Sequence, residues 1–285
     1  SSMSELGPPG PAPRGAPGGR PPGPALPLVS SLDGPPGAPV LVLGNSLGTS
    51  RAVWDRQVPA LAAHFRLLSY ELPGHGGSPS AAGPYTIAQL GAAVLSVMDR
   101  HGVDRAAYCG ISLGGMIGMW LAATSPERIR RLGLICTSAY LPPASGWLAR
   151  ADQVRKSGMD SITQASIGRW FTPAFVRREP GVAAAFAADL RRIDPAGYAG
   201  CCAAIAGMDL RPELAGISAP TMVIAGADDP STPPAHGALI AKDAGGSARL
   251  RVIRGASHLA NVAAPGEVTA ILLGHLTADA SHFAR

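Results

Sequence analysis

Aromatic residues are scarce in this chain. Phe, Trp and Tyr make up 5% of its 285 positions, so a core must be built mainly from Ala, Val, Leu and Ile. Cysteine is scarce too. Cys109, Cys136, Cys201 and Cys202 match neither a zinc-site spacing nor a disulfide framework, and the adjacent pair cannot easily bridge to itself. Buried, reduced thiols are the expectation. No apolar run approaches the roughly 20 residues needed to cross a bilayer. The first residues lack the charged segment and apolar stretch of a secretory signal. A cytoplasmic protein without a membrane partner is expected. The formal net charge of +5 comes from dispersed arginines with no aromatic residues alternating among them, which argues against a nucleic-acid partner. The glycines around 110–115 do not make G-x-G-x-x-G, and no acidic residue follows at the spacing of a ribose ligand. Neither an organic cofactor nor a metal is implied.

What the chain does have is an alternation of strand and helix signals. Residues 1–25 are dominated by Pro and Gly and are expected to form a disordered tail, because such a segment buries too little apolar surface to offset its ordering entropy. A first strand or hairpin is expected between Ala25 and Asp33. The apolar run Val40–Leu43 then reads as a strand buried on both faces. Val53–Ala63 reads as a helix and Phe65–Tyr70 as a strand. Thr86 and Gln89 fit a capping box opening a helix that runs to about Arg100 and stops at Gly102. A strand over Ala106–Cys109, a helix from Met116 to Ala123 and a strand over Leu132–Cys136 follow. From Leu141 to Gly216 strand signals vanish and short helical stretches, punctuated by prolines, replace them. The alternation resumes with strands at Thr221–Ala225 and Leu250–Ile253 and helices at Pro233–Asp243 and Pro265–Leu276. This predicts an α/β fold: a mostly parallel sheet flanked by helices, formed by residues 26–140 and 217–285, with an all-helical lid, 141–216, over the edge where such sheets bind ligands.

Gly110-Ile111-Ser112-Leu113-Gly114 carries the chemistry. A G-x-S-x-G pentapeptide between a strand and a helix is the context of a nucleophile elbow. The serine would sit on a strained turn with its hydroxyl clear of the sheet, and the flanking glycines would let the two backbones pass closely. A serine hydroxyl needs a base within hydrogen-bond reach, and the base needs an orienting carboxylate. Asp229, in Gly226-Ala227-Asp228-Asp229, and His258, in Gly255-Ala256-Ser257-His258, follow Ser112 in the chain order expected for this arrangement, each after a strand. Asp228 is the rival acid. His75, in Pro73-Gly74-His75-Gly76, is the rival histidine. An oxyanion needs donors already in place. The N–H of Leu113 is one candidate. Leu47, in Gly44-Asn45-Ser46-Leu47-Gly48-Thr49, is the second, with Ser46 as its alternative.

These motifs, with Pro84-Tyr85-Thr86-Ile87, Arg169-Trp170-Phe171-Thr172 and Asp209-Leu210-Arg211-Pro212, resemble the 3-oxoadipate enol-lactonases of the α/β-hydrolase superfamily. The resemblance spans about Val40 to Leu276. It implies hydrolysis of an enol-lactone, a small-molecule substrate, through an acyl-enzyme, in catabolism of aromatic compounds. Ser46, Tyr140, Trp147 and Trp170 are the substrate-binding candidates. Relatives tend to carry an arginine at the position of Tyr140, where it would meet the substrate's carboxylate; Arg150, Arg155 and Arg169 are substitutes. A related esterase, lactonase or thioesterase acting on a larger neutral substrate is the alternative. Monomer and homodimer are both compatible with the sequence.

Overall fold

The computed structural model describes residues 22–278, so the Pro/Gly-rich tail expected over 1–25 lies almost wholly outside the described residues. The sheet strands are β1 (Ser30–Asp33), β2 (Val40–Gly44), β3 (Arg66–Tyr70), β4 (Ala106–Ile111), β5 (Ile129–Ile135), β6 (Thr221–Gly226) and β7 (Ala248–Ile253). They lie in the order β1-β3-β2-β4-β5-β6-β7. Only β1 runs antiparallel to its neighbour, with Ser30 opposite Tyr70. The other pairings are parallel. Every residue of β4 and β6 is buried, as a strand covered on both faces requires.

The helices that flank the sheet are α1 (Val58–Ala62), α2 (Ile87–Arg100), α3 (Leu113–Thr124) and α9 (Pro234–Asp243) between strands, and α10 (Ala260–Ala263) and α11 (Pro265–Leu276) after the last. Neighbouring residues of one strand point to opposite faces, and this fixes the layering. Gly118 of α3 packs against Tyr108 and Leu132, whereas Gly133, the next residue of β5, faces Cys109 and Leu272 of α11. So α3 and α11 cover opposite faces. Gly237 of α9 meets Val223 and Ala225, which lie in register with the α3 side. Between β5 and β6 the chain leaves the sheet and forms five helices: α4 (Ala144–Ser157), α5 (Asp160–Trp170), α6 (Pro173–Arg178), α7 (Pro180–Arg191) and α8 (Pro195–Ala206). Among the described residues, no helix is long and apolar enough to cross a membrane.

The capping box at α2 forms on both sides: Gln89 N–H donates to Thr86 Oγ1 at 3.0 Å, and Thr86 N–H to Gln89 Oε1 at 3.2 Å. One expected helix breaks. Val53–Ala63 forms as a 3₁₀ turn, Arg51–Trp54, followed by α1. Pro59 has no N–H to offer the carbonyl of Asp55, so a continuous helix would lose a bond there. A second expectation falls short. α3 begins at Leu113 rather than Met116. All four cysteines are free and buried.

Candidate active site

Parallel pairing sends the C-terminal ends of β2, β4, β6 and β7 to one edge of the sheet. Ser112 follows β4 there, with φ 52° and ψ −112°, a conformation that L-residues avoid. Close packing holds it. A Cβ at Gly110 would collide with the backbone of Gly114, and one at Gly114 with the backbone of Gly44. Ser112 N–H donates to Ile135 O at 2.9 Å, and Thr137 Oγ1–H donates to Ser112 O at 2.7 Å. The Tyr108 hydroxyl donates to Gly114 O at 2.6 Å and lies 2.7 Å from the Tyr70 hydroxyl. The turn is thus over-determined, and strain at one residue can persist.

His258 Nε2 lies 3.0 Å from Ser112 Oγ, and His258 Nδ1 lies 2.8 Å from Asp229 Oδ2. All three residues are buried. Asp229 is further held by N–H donors from Ser231 at 2.8 Å and Thr232 at 3.1 Å, and by the Thr232 hydroxyl at 2.8 Å. Burial pushes its carboxyl pKa up, but the bond and charge of His258 and the Thr232 donors outweigh this and hold it below the usual carboxylate value. Asp228, the rival acid, is exposed, and its N–H is bonded to Ala256 O at 2.9 Å. The Thr232 contribution has a legible signature: an Asp accepting from the N–H groups two and three residues on is a local Asx-type arrangement. Sequence reasoning passed over it.

Leu113 is the first residue of α3, so its N–H has no acceptor within the helix. In the loop after β2, Thr49 N–H donates to Ser46 O at 3.1 Å and Gly48 N–H to His75 Nε2 at 3.0 Å. The N–H groups of Ser46 and Leu47 are outside these bonds, and both residues line the cavity over Ser112. Gly48 has φ +86°, and a side chain there would press on Trp170 and Leu190. His75 therefore braces this loop and is not among the residues lining the cavity. Its Nδ1–H donates to Pro73 O at 2.7 Å, which leaves Nε2 as an acceptor. Burial pushes the His75 pKa down to about 4, only partly opposed by the Pro73 bond, so the ring is neutral. Glu71 supports the same loop, accepting from Arg51 N–H at 3.1 Å and from the Asn45 amide at 3.4 Å. Burial raises its carboxyl pKa more than these bonds lower it.

The cavity over Ser112 has a volume of about 30 Å³. Among its lining residues are Ser46, Leu47, Trp147, Trp170 and His258. Trp147 donates its Nε1–H to Leu141 O at 3.0 Å, and Trp170 packs edge-on against Phe186. Arg150 and Arg169 also line it, and both line a neighbouring chamber of about 210 Å³ between α4 and α5. Arg150 lies 4.4 Å over the Trp147 ring, and Arg169 donates to Ser166 Oγ at 3.2 Å. Among the described residues neither pairs with a carboxylate. Burial, and then the charge of Arg150, lowers the Arg169 pKa. Arg155 pairs with Asp152 at 3.9 Å instead. Tyr140 departs from expectation. The residue is 37% exposed, its ring lies 3.8 Å from the Arg211 guanidinium, and it is not among the cavity residues. A bridge to Asp209, whose carboxylate holds Arg211 at 2.8 Å, turns it to the surface. Among the described residues, no group of three His, Cys, Asp or Glu side chains could hold a metal ion.

Residues 39–162 match the family model described as alpha/beta hydrolase fold. The chain is 40% identical to 3-oxoadipate enol-lactonase 2 of Acinetobacter baylyi over 227 residues, covering 80% of this chain and 84% of that one. It is similar to the crystal structure of the enol-lactonase from Burkholderia xenovorans, with a TM-score of 0.85 and 41% identity over 88% of this chain and 96% of that one. It is also similar to a hydrolase from Pseudomonas aeruginosa, with a TM-score of 0.84 and 44% identity over 87% and 94% of the two chains. A strained serine at the end of β4, a mostly parallel sheet and these relatives agree, and the chain belongs to the α/β-hydrolase family.

Proposed function

We propose that this protein opens a carboxylic lactone through an acyl-enzyme on Ser112, and that the lactone is 3-oxoadipate enol-lactone. The observation that carries the reaction is the buried line from Ser112 Oγ through His258 to Asp229, with contacts of 3.0 and 2.8 Å. Ser112 Oγ attacks the lactone carbonyl as its proton passes to His258 Nε2. Asp229 holds the Nδ1–H and stabilises the imidazolium. The N–H groups of Leu113 and Leu47 receive the oxyanion. Ring opening breaks the acyl C–O bond and expels an enolate, whose carbon takes the proton from His258 to give the ketone. His258 then draws a proton from water as it attacks the acyl ester, and returns that proton to Ser112 Oγ as the ester C–O bond breaks and the acid leaves. Residues 141–216 act as the lid: α4 and α5 bring Trp147, Arg150, Arg169 and Trp170 over the serine.

The similarity to proteins named enol-lactonase supports the substrate. So do Arg150 and Arg169, two cations without an acidic partner among the described residues, beside the nucleophile. A substrate carboxylate meets that need, and arginine binds one in bidentate fashion. The test is direct turnover of the enol-lactone by the wild-type protein and by Ser112→Ala, beside a simple aryl ester. Fast opening by the wild type, lost in Ser112→Ala, is expected. Turnover of the lactone no faster than of the aryl ester overturns the substrate. A second reading, a larger neutral ester, draws on the apolar lining of Leu141, Trp147, Trp170 and Ile205 and on the outward position of Tyr140. Preference for a neutral ester over the lactone would select it.

A further inference from the structure

His258 is pinned from two sides, and only one of them is the sheet. On the sheet side, Ala256 O accepts Asp228 N–H at 2.9 Å, and Gly226 packs against the carbonyl of Ser257. On the other side stands the end of α5. A helix leaves its last carbonyls without intrahelical donors, and they must be satisfied from elsewhere. Here the last intrahelical-type bond is Phe171 N–H to Ile167 O at 3.1 Å. The Arg169 carbonyl accepts Ser257 Oγ–H at 2.7 Å, and the Trp170 carbonyl accepts Leu259 N–H at 3.1 Å. These donors are the two residues that flank His258. Ser257 is buried, with a weaker second contact to Asp228 O at 3.4 Å.

We infer that Ser257 is a positioning residue that ties the His258 loop to the C-terminal end of α5, so that a helix of the 141–216 insertion, and not the sheet alone, sets the imidazole in line with Ser112. The inference rests on the hydrolase reading of that site. The same residues of α5 face the cavity with their side chains: Arg169 and Trp170 line it while their carbonyls hold the loop. A ligand that grips those side chains therefore acts on the element that aims the base. Any opening that admits substrate must leave the end of α5 in place, because moving it withdraws His258 from Ser112. The other wall of the cavity, α4, has only Ala151 and Val154 buried and packs chiefly along α8.

The test compares the wild type with Ser257→Ala and Ser257→Thr on an aryl acetate, with thermal melting to establish folding. Ser257→Ala should lower kcat roughly 10- to 100-fold while KM moves by less than about threefold, since misplacing a base by under an ångström costs rate rather than ground-state binding. Ser257→Thr, which keeps the hydroxyl, should recover most of kcat. A purely structural role would lower the melting point and leave kcat per folded molecule unchanged, and that result overturns the inference. Should Ser257→Ala not fold, amide exchange in the wild type carries the test. Protection at Leu259 should match that at Phe171, the two opening as one unit, whereas exchange at Leu259 faster by about 100-fold overturns the inference. Failure of the hydrolase reading is distinguishable: the wild-type protein itself would then turn over no ester.

Discussion

Replacing Arg169 by Gln separates the two substrate readings. The side chain is half-buried beside the nucleophile, carries a charge that burial and Arg150 both disfavour, and among the described residues donates only to Ser166. In the free protein its charge is a liability. With a carboxylate at about 4 Å and an effective dielectric constant of about 20, the attraction is about 4 kcal/mol before desolvation. A charge-assisted hydrogen bond retains about 1.5–3 kcal/mol of such an attraction, which is roughly a 10- to 100-fold change in kcat/KM. Arg169→Gln should therefore lower kcat/KM for 3-oxoadipate enol-lactone by that factor. For the methyl ester of the same lactone, which has the same shape without the charge, it should change by less than about threefold. The melting point should hold or rise, because a desolvated cation has gone and its repulsion with Arg150 with it. The assay is initial-rate kinetics on both substrates, and the gap between them should shrink in about 1 M salt, where the Debye length falls to about 3 Å. An equal loss on both substrates would refute the reasoning, and so would no loss on either.

Asp229→Asn should lower kcat by about 10³- to 10⁴-fold with the fold intact, because the amide favours the wrong imidazole tautomer; a fall under tenfold, measured as burst and steady-state rates, would mean the carboxylate does not orient His258. Ser112→Gly should be more stable than Ser112→Ala by about 1 kcal/mol in denaturant midpoints, since only glycine adopts the φ of 52° without strain; equal midpoints would mean the turn is not strained. His75 has a folded pKa of about 4, below its ordinary value of 6.5, so the unfolded chain binds more protons between those values. The associated stability is fully present above about pH 6.5 and is lost as pH falls toward 4, reaching roughly 3 kcal/mol. His75→Gln, which keeps an acceptor for Gly48, should lose less stability than the wild type between pH 7 and 4.5 in urea titrations; identical losses would mean the ring is not buried neutral.

The sheet was legible because strands covered on both faces are almost wholly apolar, as in Val40–Leu43 and Met222–Ala225, while covering helices carry polar punctuation such as Thr86 and Gln89. Ser112, Asp229 and His258 were legible because parallel strands bring their C-terminal ends together wherever they fall in the chain. The start of α3 was not. Gly114, Gly115 and Gly118 read as poor helix formers, but each sits where a side chain would strike Gly44, Thr137 or Tyr108, so packing overrode propensity. The position of Tyr140 was also hidden, since the groups that hold it, Asp209 and Arg211, lie about seventy residues further on. Ser257 was passed over for the same reason: its partner is a helix-end carbonyl 88 positions earlier.

The cavity over the serine is narrow, about 30 Å³, and Leu141, Trp147, Arg150, Arg169 and Trp170 form its wall on the side of the insertion. If substrate enters by parting α4 from this wall, apparent affinity is the intrinsic affinity scaled by the fraction of molecules so parted. Loosening α4 alone should raise the capture rate and let stray water reach the acyl-enzyme's surroundings, whereas stitching α4 shut should slow entry without touching the chemical step. Saturation kinetics in such variants would report how readily the gate swings rather than how well the pocket fits.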